Sequence, residues 1–136
     1  MATLANDALV NREAFARARA ELGANFVRIL GYFREDGVRS VAAIEEAMHA
    51  GSATAMVIPA HTLKGEARQF GADPLAELAE IIEMIARDCV ESRDAPTATF
   101  EHIVKLRDTF EATLALLQRE ASPLVERRIG FGRRLS

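Results

Sequence analysis

Residues 53–71 read ATAMVIPAHTLKGEARQFG and contain the most regular apolar pattern in the chain. Ser52, just before them, is a favourable helix N-cap, and Gly71 suits the left-handed backbone that often ends a helix. Pro59 is expected to bend this helix or to weaken one turn. Apolar residues recur at intervals of three or four positions, as in helices that pack into a bundle, and these residues are Ala53, Met56, Ala60, Leu63, Ala67 and Phe70.

Similar helical patterns flank this stretch, and strand-like alternation is absent. Three shorter patterns precede it: one over residues 15–22, one over residues 26–37 that ends near Gly37, and one over residues 41–51. Each is predicted to form a helix that ends close to a glycine or loop. The patterns at the beginning of the chain predict short helices laid across one end of the fold.

Two further helices are predicted after residue 71. Asp73 and Pro74 form a start signal, as N-cap and first helical residue, for a helix that reaches Cys89. The last helix is predicted from Thr97 to Glu120, with Phe100 among its inward residues. Because the connections are short, neighbouring helices are expected to run in opposite directions. The chain is therefore predicted to be all-α, an antiparallel four-helix bundle with short additional N-terminal helices.

Length and charge narrow the class of protein further. The 136 residues suffice for one domain with its own core, predicted over residues 1–122, followed by a tail at residues 123–136. The tail has a charge of +3 and the rest of the chain has −6, so nucleic acid is not an expected partner of the body. Cys89 is the only cysteine, and no apolar run is long enough to span a membrane. A cytoplasmic protein, monomeric in solution, is the prediction.

His61 is the candidate functional residue. At ~100° of rotation per residue it lies roughly 130° from the centre of the apolar stripe, so its side chain should face solvent or the edge of a groove. Lys64 and Gly65, three and four residues later, share that face, and Arg68 lies one turn further along. An imidazole can accept a phosphoryl group, and the Lys64 ammonium could offset the charge of that group. Gly65 costs roughly 1 kcal/mol in a helix relative to alanine, which suggests that it leaves room for a partner.

The motif around His61 resembles the histidine-containing phosphotransfer (HPt) domain of two-component phosphorelays. The resemblance covers about residues 52–86, and it is carried by the run Ala60-His61-Thr62-Leu63-Lys64-Gly65 followed by Gly71, Leu75, Leu78 and Glu83. It implies a four-helix bundle whose exposed histidine receives phosphate from a sensor histidine kinase or a receiver aspartate and passes it to a response regulator receiver domain. Such a protein is a phosphocarrier without a cofactor of its own, because the receiver brings the Mg²⁺.

The same resemblance assigns roles to individual residues. His61 would be phosphorylated on Nε2, with Lys64 beside the phosphoryl group. Glu83, on the next helix, would accept the Nδ1–H of His61 and so leave Nε2 as the nucleophile. Partner contacts would involve Ile58, Gly65 and Arg68. Glu66 occupies a position where the family often has a small residue, and its charge near an acidic receiver is expected to influence the choice of partner.

Two alternatives stay open at this point. The first is an interaction module that binds receivers or kinases without carrying phosphate, a pseudo-HPt domain. The second is a carboxylate-bridged metal bundle, in which Glu-x-x-His pairs on two helices hold the metal. Glu46 and His49 form one such pair, but the sequence contains no second pair, since Glu101 and His102 are adjacent. No phosphate-binding loop for a nucleotide is present, which argues against a kinase.

Overall fold

The computed structural model describes residues 9–121, and these residues form helices and short connections without a β-strand. The predicted basic tail, residues 123–136, and the predicted domain boundary at residue 122 lie outside the described part. None of the described helices is long and apolar enough to cross a membrane. The helices are α1 (Arg12–Leu22), α2 (Phe26–Ala50), α3 (Ala53–Gln69), α4 (Asp73–Ser92) and α5 (Phe100–Ala121). Two 3-10 turns, Gly23–Asn25 and Thr97–Thr99, precede α2 and α5.

The four long helices pack around a shared core. Helix α2 contacts α3 and α5, and α4 also contacts α3 and α5, so each long helix packs against two other long helices. The short helix α1 lies at the end of this bundle. The backbone N–H of Asn11 donates to the Gly71 carbonyl at 2.7 Å, and Arg19 Nη1 donates to the Glu120 carbonyl at 2.9 Å. The all-α fold is confirmed, and α1 bridges the α3–α4 connection and the end of α5.

The apolar stripe of α3 lies in the core as predicted, since all six of its residues are buried. Phe70, at the end of the stripe, contacts Phe26 and Phe33 with ring centroids 5.6 and 5.4 Å apart. Phe15 packs on Phe26, and Phe110 packs on Phe33, so the rings form a continuous chain through the core. Aromatic pairs of this kind contribute about 0.5–1.5 kcal/mol beyond area burial. The chain of rings joins α1, α2, α5 and the end of α3.

The ends of α2 and α3 follow the capping chemistry expected from their residues. Gly51 has a φ of 66° and donates its N–H to carbonyls in the last turn of α2. The Ser52 hydroxyl accepts the Ala55 N–H at 3.1 Å and caps α3. Gly71 has a φ of 73°, a left-handed backbone conformation that favours glycine. Pro59 lies inside α3 and the helix continues past it to Gln69, so the proline removes one backbone hydrogen bond without ending the helix.

Gly37 does not end a helix, and the predicted break there is wrong. Helix α2 continues through Gly37 to Ala50 as one helix of 25 residues. A Cβ atom at Gly37 would lie 2.5 Å from Cζ of Phe110 and closer still to Cε1. The absence of a side chain therefore lets α5 place the Phe110 ring directly against the backbone of α2. A glycine that the sequence alone presents as a stop signal is instead a close-packing residue.

Two smaller predictions were also wrong. Phe100 was expected to point inward but is 56% exposed, because the preceding residue, Thr99, occupies the buried position at the start of α5. The Thr99 hydroxyl donates to the Pro96 carbonyl at 2.5 Å, which satisfies its polar group in the core. Asp73 is the first residue of α4 rather than its N-cap, and its side chain makes no capping hydrogen bond.

Gly37→Ala is expected to lower the free energy of unfolding by about 1–3 kcal/mol, as overpacked core positions do. The new methyl group must displace the Phe110 ring, which is held between Phe33 and the backbone of α2. Gly31→Ala in the same helix is the matched control, because a Cβ there meets nothing within 4 Å. That control should raise stability by up to about 1 kcal/mol. Equal effects of the two substitutions in chemical denaturation would contradict the close-packing role of Gly37.

Candidate functional site

His61 lies on the outer side of α3, with 57% of its side chain exposed. Its Nδ1 is 3.0 Å from Oε2 of Glu83 on α4, whose side chain is only 6% exposed. An ionised carboxylate can only accept a hydrogen bond, so Nδ1 is the donor in this contact. In the neutral imidazole the lone pair is then on Nε2. The arrangement presents a nucleophilic nitrogen at the surface and holds the opposite nitrogen against the protein.

Glu83 is surrounded by positively charged groups. Lys64 Nζ lies 2.8 Å from Oε1, while Arg87 places Nε 2.9 Å and Nη2 2.8 Å from Oε2. Burial raises the pKa of the Glu83 carboxyl, but the close contact with Lys64 and the hydrogen bonds from Arg87 and His61 outweigh it and lower the pKa from 4.5 to about 2. Glu83 is therefore ionised at neutral pH. Two cations against one carboxylate leave a local positive charge beside His61, which favours a bound phosphoryl group.

Lys64 is held in an ion pair and is not a freely moving cation. Its side chain is only 18% exposed, and its ammonium forms an ion pair with Glu83. The pairing costs the flexible side chain conformational freedom but fixes its charge one helical turn from His61. The Lys64 ammonium is therefore held in position at the site, with Glu83 as its counterion.

The three residues predicted to contact a partner share the exposed side of α3. Ile58 is 67% exposed, and a Cβ built at Gly65 meets nothing within 4 Å. The surface around Gly65 is therefore open in the chain by itself. Arg68 is exposed too, but its Nη2 donates to Glu80 Oε1 on α4 at 2.8 Å, so it is not a free cation. Their partner-binding roles stay predictions.

Ile58 forms a ridge between two shallow surface grooves. The groove between α3 and α4, about 440 Å³, begins beside the His61 cluster and is lined by Thr54, Val57, Ile58, Arg87, Val90 and Glu91. The groove between α2 and α3, about 340 Å³, is lined by Asp36, Arg39, Ser40, Ala43, Ala55, Ile58, Pro59 and Thr62. An apolar ridge with a groove on each side, next to an exposed nucleophile, suits a docking protein better than an enclosed small molecule.

Two residues of this region were not predicted from the sequence. Arg87 contacts Glu83 directly, and Glu80 pairs with Arg68. The contact between Arg87 and Glu83 could have been identified from their four-residue spacing within α4, since such pairs lie on one helix face. The pairing of Glu80 and Arg68 joins two helices, and no spacing within one helix indicates it.

Glu66 is not part of the His61 cluster, and the influence of its charge on the choice of partner stays a prediction. It lies on the side of α3 that faces α2, half-buried against Asp36, with Oε1 buried and without a hydrogen bond. Burial is the main cause that raises the pKa of Glu66 from 4.5 to about 7, and the nearby Asp36 carboxyl raises it further. The charge of Arg39 lowers it only in part. The Glu66 carboxyl is therefore largely protonated below neutral pH.

This pKa predicts a dependence of stability on pH. Because the folded-state pKa of Glu66 is raised, its contribution to stability is fully present below pH 4.5 and is lost as the pH rises through about 7. Glu66→Gln should remove this loss, so the unfolding free energy of the wild type should fall relative to the variant between pH 4.5 and about pH 7, the range that the two pKa values span. Glu77→Gln, an exposed position on α4, is the control. Parallel pH profiles for wild type and Glu66→Gln would contradict the assignment.

The described residues give little support to a metal site at Glu46 and His49. Glu46 and His49 are both exposed on α2. Within residues 9–121, no group of three or more His, Cys, Asp or Glu side chains is arranged to hold a metal ion. Carboxylate-bridged metal centres need several such donors, contributed by facing helices. The His61 cluster consequently stands out as the candidate site of the described region.

Comparison with known proteins finds one family that covers most of the described bundle. The family model described as "Hpt domain" matches residues 28–120, which includes most of α2, all of α3 and α4, and nearly all of α5. Helix α1 lies outside the match. No curated protein and no solved structure matches the chain significantly.

Proposed function

The chain belongs to the Hpt domain family, a family of phosphotransfer modules in two-component signalling, and we propose that it is an active phosphocarrier. In this proposal His61 accepts a phosphoryl group from a sensor histidine kinase or a receiver aspartate and passes it to a response regulator receiver domain. The observation that carries the proposal is the contact between exposed His61 and buried, ionised Glu83. That contact directs the lone pair of Nε2 toward an incoming protein.

The chemical step follows from this contact. The lone pair of Nε2 attacks the phosphorus of an aspartyl phosphate, the P–N bond forms, and the P–O bond to the partner's carboxylate breaks. The imidazole then carries positive charge, since its Nδ1 proton stays in the hydrogen bond to Glu83. The buried carboxylate stabilises that charge, while Lys64 lies one turn away to offset the phosphoryl oxygens. Return of the phosphoryl group to the next aspartate reverses the step, and Mg²⁺ is supplied by the receiver.

The surface around His61 supports a protein as the partner. Gly65 leaves the approach to Nε2 open, Ile58 offers an apolar contact, and Arg68 with Glu80 offers polar contacts at the edge. Receivers and kinase domains of this class work in the cytoplasm, and we place this protein there, acting as a monomer. The short connections between the long helices support the antiparallel arrangement predicted from the sequence.

The test is transfer from a phosphorylated receiver. The purified protein is mixed with a receiver domain that carries labelled phosphate, and the label on each chain is followed. An active phosphocarrier takes up the label in a bond that is labile in acid and stable in alkali, as expected of a phosphohistidine. Binding of the receiver without transfer of label, across a panel of receivers from the same cell, would contradict the proposal and indicate an interaction module.

A further inference from the structure

Oε2 of Glu83 accepts hydrogen bonds from two residues that lie on different helices. Oε2 accepts from His61 Nδ1 on α3 at 3.0 Å and from Arg87 Nε on α4 at 2.9 Å, with Arg87 Nη2 at 2.8 Å. The other oxygen, Oε1, is paired with Lys64. The carboxylate is therefore held at both oxygens, and Arg87 shares the oxygen on which the orientation of the imidazole depends.

The orientation of this carboxylate requires such support. The last torsion of a glutamate side chain is broad and roughly two-fold, so covalent geometry alone does not fix which oxygen faces His61. The guanidinium is planar and presents its N–H groups in a rigid fork, which can fix an acceptor in a way that a single ammonium cannot. Lys64 holds Oε1 by charge, and Arg87 locks Oε2 in place toward the imidazole.

We infer that Arg87 is a positioning residue for phosphoryl transfer, which acts through Glu83 to keep the proton of His61 on Nδ1 and the lone pair on Nε2. This inference rests on the proposed function. Arg87 needs no contact with the phosphoryl group for this role. Its side chain remains about half-exposed at the edge of the α3–α4 groove.

The charges around His61 give Arg87 a second effect. The charged groups near the imidazole are Lys64 and Arg68 on α3, and Glu80, Glu83 and Arg87 on α4. Arg68 and Glu80 compensate each other, whereas Lys64 and Arg87 against Glu83 leave one net positive charge near the imidazole. Removal of Arg87 leaves a freer carboxylate beside the imidazole and favours the doubly protonated ring, which has no lone pair to attack phosphorus.

The first test observes the ring without any partner. In ¹⁵N NMR at neutral pH, the wild type should show His61 protonated on Nδ1 and unprotonated on Nε2, with signals assigned by comparison with His61→Ala. Arg87→Ala should show a mixture of the two neutral tautomers and the imidazolium. Arg107→Ala is the matched control, since Arg107 also pairs with a glutamate four residues away and one on another helix, but on the α2–α5 side. It should leave the His61 signals unchanged.

The second test measures transfer from a phosphorylated receiver. Arg87→Ala should reduce the rate about tenfold at neutral pH, a typical effect of losing a group that orients a reacting side chain. The rate should recover in part at higher pH, and Arg87→Lys should restore part of it at neutral pH. Unchanged ring signals and rates in Arg87→Ala, with only a loss of stability like that of Arg107→Ala, would overturn the inference. A wild type that accepts no phosphate would contradict the proposed function instead, and the ring signals would still decide the role of Arg87.

Discussion

A His61→Ala variant is expected to accept no detectable phosphate from a phosphorylated receiver that labels the wild type. The methyl group of alanine offers no lone pair, and no other imidazole among the described residues contacts a buried carboxylate. His102 lies 3.7 Å from the exposed carboxylate of Glu101, and His49 has no carboxylate partner among the described residues. The loss should therefore be complete rather than partial.

The variant must also remain folded for this result to be informative. His61 is largely exposed and outside the core, and alanine is the best helix former, so the unfolding free energy should change little. His49→Ala and His102→Ala are the matched controls, and both should accept label at the wild-type rate. Label on folded His61→Ala would show that another residue carries the phosphate and would refute the assignment.

Gly65→Leu is expected to slow transfer about 100-fold, the scale of effect produced when reacting atoms are held about an ångström out of place. The surroundings of Gly65 are empty in the chain alone, so the leucine side chain fits without distorting the fold. It would then occupy the space one turn from His61 through which a partner's phosphoryl group must approach. The unfolding free energy should stay the same or rise by up to about 1 kcal/mol, because a glycine has been removed from a helix.

Two further variants test whether slower transfer in Gly65→Leu is caused by blocked access of the partner to His61. Gly65→Ala adds only a methyl group and should retain most of the transfer rate while giving the same gain in helix stability. Gly31→Leu places the same bulk at an open position on α2 and should leave transfer unchanged. If Gly65→Leu transfers phosphate as fast as the wild type, then Gly65 does not serve to leave room for the partner.

The core of the fold was predictable because its signals are local. The stripe of α3, the Ser52 cap and the left-handed Gly71 each depend on residues a few positions apart, and the structure contains all of them. The role of Gly37 could not be predicted from nearby residues. A glycine in a helical pattern can end the helix or admit a neighbour, and here the neighbour is Phe110, far away along the chain.

The candidate site was predictable to a similar extent. The exposure of His61 follows from helical rotation alone, whereas its pairing with Glu83, 22 residues later, came from the resemblance to a known family. Arg87 was overlooked although its spacing from Glu83 is visible, because many such pairs on helix surfaces have no further role. What distinguishes this pair is the burial of Glu83 between two helices, a property of packing rather than of spacing.

The most direct measurement is the identity of the atom that carries phosphate. Wild-type protein labelled with ¹⁵N is phosphorylated by its receiver and examined by NMR for coupling between phosphorus and the ring nitrogens. The proposed mechanism predicts coupling to Nε2 of His61, with the proton of Nδ1 still in the hydrogen bond to Glu83. A phosphoryl group on Nδ1 of His61, or on any other side chain, would contradict it.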